Sequence, residues 1–301
     1  LGGRHRLATQ SRRRAVTRRG RIASGRLDLP WQREARIGAA SAQHHAIVGI
    51  DGPLPCRFDA HIARLRVCVE EETMIRNDHR FLEAHAAQYQ VPAYATMQEM
   101  LQKEQLDLVA LCTPSGLHPE QAVLAARHGV HVMSEKPMAT RWQDGVRMVK
   151  ACDDAGVRLF VVKQNRSNTT LQMLKRAFDE RRFGKVYMVN INVFWTRPQA
   201  YYDSAKWRGT WEMDGGAFMN QASHYVDLLE WLIGPIADIQ AMTGTLARDI
   251  EVEDTGVLNV RWRNGALGSM AVTMLTYPKN LEGSITIIGE KGTVRVGGVA
   301  V

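Results

Sequence analysis

Several short polar clusters in this 301-residue chain have the residue types for acid–base chemistry on a polar ligand. Glu135-Lys136-Pro137 directly follows the apolar run Val130–Ser134. A lysine just past the carboxyl edge of a buried strand faces the crevice where α/β sheets bind ligands. Its ammonium can hold a hydroxyl and share the proton as the neighbouring carbon is oxidised. Glu135 can tune that lysine or bind a ribose hydroxyl, and Pro137 fixes the turn. The same tripeptide also reads as a surface turn with a solvated Glu–Lys pair.

In Gly215-Gly216-Ala217-Phe218-Met219-Asn220-Gln221-Ala222-Ser223-His224, two glycines permit close approach to a helix start. Asn220 and His224 are four apart, which places them on one helical face. His224 titrates near neutrality, and Asn220 offers both a donor and an acceptor to a sugar hydroxyl. No companion His or carboxylate has ligand spacing, so no metal is expected; a capped helix with a hydrogen-bonded core histidine is the plainer alternative. Lys163-Gln164-Asn165-Arg166 forms a polar crevice edge able to take a carboxylate or phosphate. Trp195-Thr196-Arg197-Pro198, Tyr201-Tyr202 and Lys206-Trp207-Arg208-Gly209 combine aromatic rings with arginine, which suits a nucleotide or sugar. Thr113-Pro114-Ser115-Gly116-Leu117-His118 is a weaker cluster at another strand end.

The elements that position these clusters are legible from residue 81 onward. Short helices are predicted at Phe81–Tyr89 and Met97–Glu104, and a buried strand at Leu106–Cys112. A helix over Pro119–His128, closed by Gly129, leads to the strand Val130–Ser134. Thr140 is expected to N-cap a helix Arg141–Ala155 ended by Gly156, and Arg158–Lys163 is a third strand. Alternating strands and helices predict βαβ units with a parallel sheet. Beyond lie a helix over Ser167–Arg181, a long strand Val186–Trp195 and a helix Gly216–Leu232. Strand-like runs follow at Ala237–Leu246, Thr255–Trp262, Leu267–Tyr277 and Ser284–Ile288, with turns such as Arg263-Asn264-Gly265. The expected fold class is α/β: a partial Rossmann-type parallel sheet, then an α+β domain with a large, mostly antiparallel open sheet. The expected divisions are 1–83, an atypical arginine-rich segment, either poorly ordered or a degraded first half of the Rossmann domain; 84–155, the remainder of that dinucleotide-binding domain; and 156–301, a truncated substrate and oligomerisation domain.

The composition, 45% hydrophobic and 23% charged, excludes wholesale disorder. No run of about 18 apolar residues predicts a membrane span. Cys56, Cys68, Cys112 and Cys152 lack metal-type spacing and are too few for a disulfide scaffold, which implies a reduced, cytoplasmic setting. The net charge of +8 is confined to one region: residues 1–80 hold 16 Arg, no Lys and 8 acidic residues, and the rest is balanced. A nucleic-acid arm or a transit peptide is possible there, but no aromatic residue or lysine is interleaved through Leu1–Leu27. The preferred expectation is a wrong-frame or misassigned start in GC-rich coding sequence. The single strand-like piece, His45–Ile50, runs into Gly49-Ile50-Asp51-Gly52, where Asp51 and Pro53 oppose phosphate binding.

The motifs CTPSGLH, SEKPMA, KQNR, KWRG and GGAFMNQASH, in that order, resemble the glucose–fructose oxidoreductase/inositol dehydrogenase (Gfo/Idh/MocA) family. The residues around KQNR through GGAFMNQASH are similar to its WlbA-type UDP-N-acetyl-2-amino-2-deoxyglucuronate 3-dehydrogenases. The resemblance covers residues 84–301. It implies that Lys136 is the catalytic lysine, His224 a second acid/base residue, and Asn220 a substitute for an aspartate carried by many relatives. It implies NAD as cofactor, lined by Thr113, Pro114, Ser115, His118, Glu135, Lys136, Gln164, Trp207 and Arg208. Lys163, Asn165, Arg166, Tyr202, Asn220 and His224 would meet the nucleotide-sugar. The implied reaction is oxidation of the sugar's C3 hydroxyl in surface-polysaccharide synthesis by a homo-oligomer, without nucleic acid or membrane as partners. Oxidation of another sugar or a cyclitol, or a non-catalytic relative lacking the phosphate loop, are the alternatives. The family's glycine-rich first turn and acidic ribose-binding residue should lie before residue 84, where neither is present in recognisable form; Arg76-Asn77-Asp78 lies near the place of the acidic residue and is not assigned to it.

Overall fold

The structure is a computed structural model and describes residues 45–48, 65–68, 86–87 and 91–298. The arginine-rich opening, the Gly49–Gly52 turn, Arg76-Asn77-Asp78 and all of the Phe81–Tyr89 helix except 86–87 lie outside the described residues. The strands β1 (His45–Val48), β2 (Leu65–Cys68), β3 (Ala93–Tyr94), β4 (Leu108–Leu111), β5 (His131–Ser134) and β6 (Leu159–Val161) form one sheet in the order β3-β2-β1-β4-β5-β6. All its pairs are parallel. This is the doubly wound order, with its switch point between β1 and β4. Strands β1 and β2 come from the segment set apart as atypical, so the parallel sheet has the flanking strands that its later half needs. Strand β6 joins this sheet beyond the expected division at 155/156.

The helices α1 (Met97–Lys103), α2 (His118–Arg127) and α3 (Trp142–Asp154) alternate with these strands. Thr96 caps α1 by accepting from the Glu99 N–H at 3.2 Å. Val109, Leu111 and Val132 pack against Ala122, Ala125, Met148 and Cys152. Burying a side chain such as Leu or Val contributes about 1.5–3 kcal/mol. Thr140 does not cap α3: its Oγ1 donates to the Glu212 carbonyl at 2.9 Å, and the cap position is Arg141 without a side-chain bond. The hydroxyl finds its partner across the molecule rather than on its own helix.

The second sheet holds β7 (Val186–Phe194), β8 (Ile236–Gly244), β9 (Thr255–Trp262), β10 (Leu267–Thr273), β11 (Glu282–Gly289) and β12 (Gly292–Gly298), in the order β12-β11-β7-β10-β9-β8. Only the β7–β10 pair is parallel. Helices α4 (Thr169–Asp179) and α6 (Ser223–Ile233) cover one face. There Leu171, Leu174, Leu228 and Leu232 meet Ile191, Trp262, Met270 and Ile285. A short helix α5 (Gln199–Asp203) precedes the KWRG segment.

The two sheets are joined by loops at the edge where the site lies. Gly116 N donates to the Met213 carbonyl at 3.2 Å. A Cβ at Gly116 would overlap the Glu212 carbonyl and lie 2.8 Å from the Met213 sulfur, so the close approach requires glycine. Gly116→Ala is expected to force these loops apart at a cost of about 1–3 kcal/mol. Thermal denaturation should show Tm lowered by roughly 2–10 °C. An unchanged Tm would mean the loops yield without cost.

Candidate active site

The strand order places the ends of β4, β5 and β6 along one sheet edge beside the switch point. After β4 the chain makes a 3-10 turn, Ser115–Leu117, into α2. After β5 comes Glu135-Lys136 with a cis bond to Pro137, and after β6 a 3-10 turn, Gln164–Ser167. The loop carrying Asp214-Gly215-Gly216 closes over this edge from the second sheet's side. Gly215 and Gly216 take φ of 88° and 83°, and a Cβ at Gly216 would collide with the Glu253 carboxylate. The glycine pair is therefore what lets the chain enter the next turn. Glu253 then accepts from the Phe218 N–H at 3.0 Å.

The expected single helix Gly216–Leu232 is in fact two segments. Ala217–Gln221 is a π-helical turn, and α6 begins at Ser223 after Ala222. Asn220 and His224 thus lie on successive segments rather than on one α-helical face. The wider turn follows from the hold that Glu253 has on its first amides: Ala217 N donates to the Glu253 carbonyl at 3.0 Å.

Lys136 is the centre of the arrangement. Its Nζ donates to the Asn220 side-chain oxygen at 2.9 Å and to the Asn220 carbonyl at 3.2 Å. Burial pushes the lysine's pKa down; Glu135 and Asp214 pull it up, and Lys163 and Arg197 push it down further. His224 stands close enough to feel both Lys136 and Lys163. Burial, then those two cations, push its pKa down to about 4 against the pull of Asp227. Its Nδ1 is buried without a hydrogen-bond partner. Burial likewise lowers the pKa of Lys163.

Several other expected site residues make contacts within the protein. The buried Thr113 hydroxyl donates to Gln121 Oε1 at 2.6 Å, and Pro114 and the buried Ser115 shape the turn. The fully buried His118 ring lies between the Pro137 carbonyl (Nδ1, 3.0 Å) and the Thr113 carbonyl (Nε2, 2.9 Å), tying the β4 loop to the β5 loop. Burial dominates a lowered pKa, so the ring is neutral and donates to one carbonyl at a time. Arg166 makes a two-point pair with Asp227 at 2.8 and 2.6 Å and lies over the Trp231 ring, so its guanidinium already has an anion. Glu135 Oε2 accepts from the Lys136 N–H at 3.1 Å. Gln164 is exposed and Asn165 half-buried. Tyr202 is buried, and burial raises its pKa.

Arg208 stacks between Tyr201 and Trp207, 4.5 Å from each ring centroid, and donates to the Tyr201 hydroxyl at 2.7 Å. Its Nε is buried without a partner. Arg197 lies over Trp195 and Tyr201 and donates to Gln221 Oε1 at 3.0 Å. Two residues were missed by sequence reading. Asp227 holds Arg166, and Asp214 accepts from the Asn220 amide. The pattern Asp-Gly-Gly before the Asn was the available signal for Asp214.

The chain matches two models of one family. Residues 44–163 match its oxidoreductase model, described as an NAD-binding Rossmann fold, and residues 171–295 match the GFO/IDH/MocA C-terminal domain. The first begins forty residues ahead of the segment where the resemblance was legible. The WlbA dehydrogenase of Chromobacterium violaceum, solved in complex with NADH and UDP-GlcNAcA, is 58% identical, with a TM-score of 0.78 over 86% of this chain and 75% of that one. The Bordetella pertussis WlbA dehydrogenase, in complex with the same two ligands, is 55% identical, with a TM-score of 0.78 over 86% and 79%. A myo-inositol 2-dehydrogenase of Thermotoga maritima is 25% identical over 67% of this chain, which spans 60% of that protein's length. The parallel and antiparallel sheets, the loop-joined edge and these matches place the chain in the Gfo/Idh/MocA oxidoreductase family.

Proposed function

We propose that this protein oxidises a sugar hydroxyl with NAD, and that its substrate is a UDP-N-acetylglucosaminuronate attacked at C3 for surface-polysaccharide synthesis. The observation that carries the reading is the clasp of Lys136 Nζ by two Asn220 oxygens beside the unpartnered His224 Nδ1. A neutral lysine amine has two N–H bonds and one lone pair. When both N–H groups are spent on Asn220, the lone pair is left to face a substrate hydroxyl. Lys136 Nζ then accepts the hydroxyl proton as the C–H bond breaks, and lowering of its pKa by burial favours that role. His224, held neutral, supplies a second hydrogen-bonding nitrogen to the reacting carbon's substituents.

The residues present fit a dinucleotide. The β4 turn and the Lys136 turn share the edge at the switch point where such cofactors bind, and the buried Arg208 Nε awaits a partner. Thr113, Pro114, Ser115, Glu135, Gln164, Trp207 and Arg208 would hold NAD, with His118 bracing the loop. When bound, NAD supplies the nicotinamide carbon that takes up hydride. Lys163, Asn165, Tyr202 and the cationic pair Arg197 and Arg208 favour an anionic sugar derivative. The two WlbA dehydrogenases bound to UDP-GlcNAcA, 58% and 55% identical with 86% of this chain covered, support that substrate class.

The same reading assigns the parallel-sheet part to cofactor binding and the α+β part to substrate and self-association. Met188, Leu267, Val257 and Met242 are exposed on strands of the second sheet, and a second copy of the chain would cover this face in a homo-oligomer. The buried free thiol of Cys152 suits a cytoplasmic setting. Among the described residues no helix is long and apolar enough to cross a membrane.

Incubation with NAD and UDP-GlcNAcA should raise absorbance at 340 nm, and Lys136→Ala should lower kcat by roughly 10²- to 10⁴-fold while NADH binding persists. Turnover of myo-inositol or free sugars in place of the UDP-sugar would overturn the substrate, and failure of the purified chain to retain NAD would overturn the enzyme. His224 gives a second readout. Its folded-state pKa of about 4 lies below the ordinary 6.5, so the unfolded chain takes up the proton first. The ring's contribution to stability is full above pH 6.5 and is lost as pH falls to about 4. Urea midpoints measured between pH 7 and 4.5 should fall less steeply for His224→Gln than for the parent; parallel slopes would contradict a buried neutral ring.

A further inference from the structure

Asp214 is 2% exposed and touches Lys136 only through Asn220. One carboxylate oxygen accepts from the Gly209 N–H at 2.8 Å, and the other accepts from Asn220 Nδ2. The loop around it is pinned in turn: Asp214 N and Gly215 N both donate to the Thr210 carbonyl, at 3.1 and 3.0 Å. Asn220, itself 7% exposed, also has its carbonyl fixed, since Ser223 Oγ donates to it at 3.0 Å.

A primary amide has an oxygen and a nitrogen of nearly equal size, and its two orientations differ only in what they face. Here a carboxylate lies on one side and a lysine amine on the other. Reversing the Asn220 amide would set its N–H groups against Lys136 and its oxygen against the Asp214 carboxylate, two repulsive contacts in a buried site. We propose, resting on the reading above, that Asp214 is a positioning residue: it locks the Asn220 amide so that both Asn220 oxygens hold Lys136 Nζ and its lone pair is directed at the substrate. The full negative charge sits one residue away from the lysine, behind a neutral amide. The lysine therefore meets neutral oxygens rather than a carboxylate, which leaves its neutral form accessible. Burial raises the Asp214 pKa, while the Gly209 N–H, the Asn220 amide, Arg208 and Lys136 lower it. The charged groups that bear on Lys136 are Glu135, Asp214, Lys163 and Arg197, and the titratable but neutral His224 lies within reach of its field.

The hydrogen-bond pattern can be exchanged as a test. In Asp214→Asn the new amide cannot accept from both Gly209 N–H and Asn220 Nδ2, so the lock opens. In the double substitution D214N/N220D, the amide at 214 accepts from Gly209 and donates to the new carboxylate at 220, which holds Lys136 directly. Every hydrogen bond is restored with the charge moved next to the amine. D214N should lower kcat roughly 10- to 100-fold with KM for NAD and Tm little changed. D214N/N220D should recover most of the loss, with its pH–rate profile displaced to higher pH than the parent.

A second measurement needs no substrate. The pH dependence of acetic anhydride labelling at Lys136, read by peptide mass spectrometry, should have its midpoint lowered by D214N and raised above the parent by D214N/N220D. Unchanged kcat and labelling in D214N overturn the proposal. So does a double variant that folds and binds NADH yet shows no recovery in either readout. Should the parent fail to oxidise any UDP-sugar while the labelling midpoints move as stated, the substrate reading falls and the positioning role stands.

Discussion

Lys136 cannot hold its place from the parallel sheet alone. It leaves the end of β5 on a tight turn, and a lysine has four rotatable bonds whose freedom costs up to about 2 kcal/mol to remove. What fixes it lies 84 residues later in the chain, where both oxygens of Asn220 converge on Nζ. The contact works only when the second sheet's entry loop is seated on the edge of the first. The lysine–asparagine clasp thus makes the relative placement of two sheets a condition of the chemistry. The backbone contact between Gly116 and Met213 and the Thr140–Glu212 bond serve the same placement from the other loops.

The electrostatics follow from that seating. Three cations, Lys136, Lys163 and Arg197, share the crevice region with Arg208, while the anions Asp214 and Asp227 are each turned toward a specific partner. Arg166 shows how the sign of a residue in sequence misleads about its availability. It stands in a polar run at the crevice edge, yet its Nε and one terminal nitrogen already pair with Asp227, so its charge is partly compensated before any ligand arrives. Burial then acts on the uncompensated groups: Lys136, Lys163 and His224 all have their charged forms disfavoured. A site whose cations are reluctant to remain charged is suited to gaining and losing protons as an anionic substrate enters.

What the sequence disclosed and what it withheld have physical reasons. The strands LVAL and HVMS are apolar or alternating runs among helices, of which α2 and α3 are closed by Gly129 and Gly156, so their period and punctuation are readable, and Lys136 at the end of one draws attention by position. The strand LRVC places an arginine within four residues, between Arg64 and the acidic run Glu70-Glu71-Glu72, so its short apolar signal is broken by charge; its parallel register with β1 is a long-range fact. The strand GTVRVGG has too many glycines for a strand pattern and exists because it completes a hairpin with β11. The interruption at Ala222 was invisible because the residues from Gly216 to Leu232 all tolerate a helix; the π turn is imposed by Glu253 from a distant loop. Thr140 looked like a cap and was instead recruited by a carbonyl 72 residues away.

The charge of the chain takes its meaning from the same contrast between local and long-range information. The surplus of +8 lies wholly in the first eighty residues, and the part that builds the site is balanced. Within that balanced part, function depends on how individual charges are neutralised rather than on their sum. Asp227 neutralises Arg166 by direct contact, while Asp214 acts on Lys136 through an intervening amide. A carboxylate in direct contact would stabilise the ammonium by a charge-assisted bond and hold the proton there. An amide set between the two keeps the geometry of a bond to oxygen while weakening the attraction. Placing asparagine at 220 and aspartate at 214 therefore separates two requirements that a single aspartate would bind together: the direction in which the lysine points, and how firmly it keeps its proton.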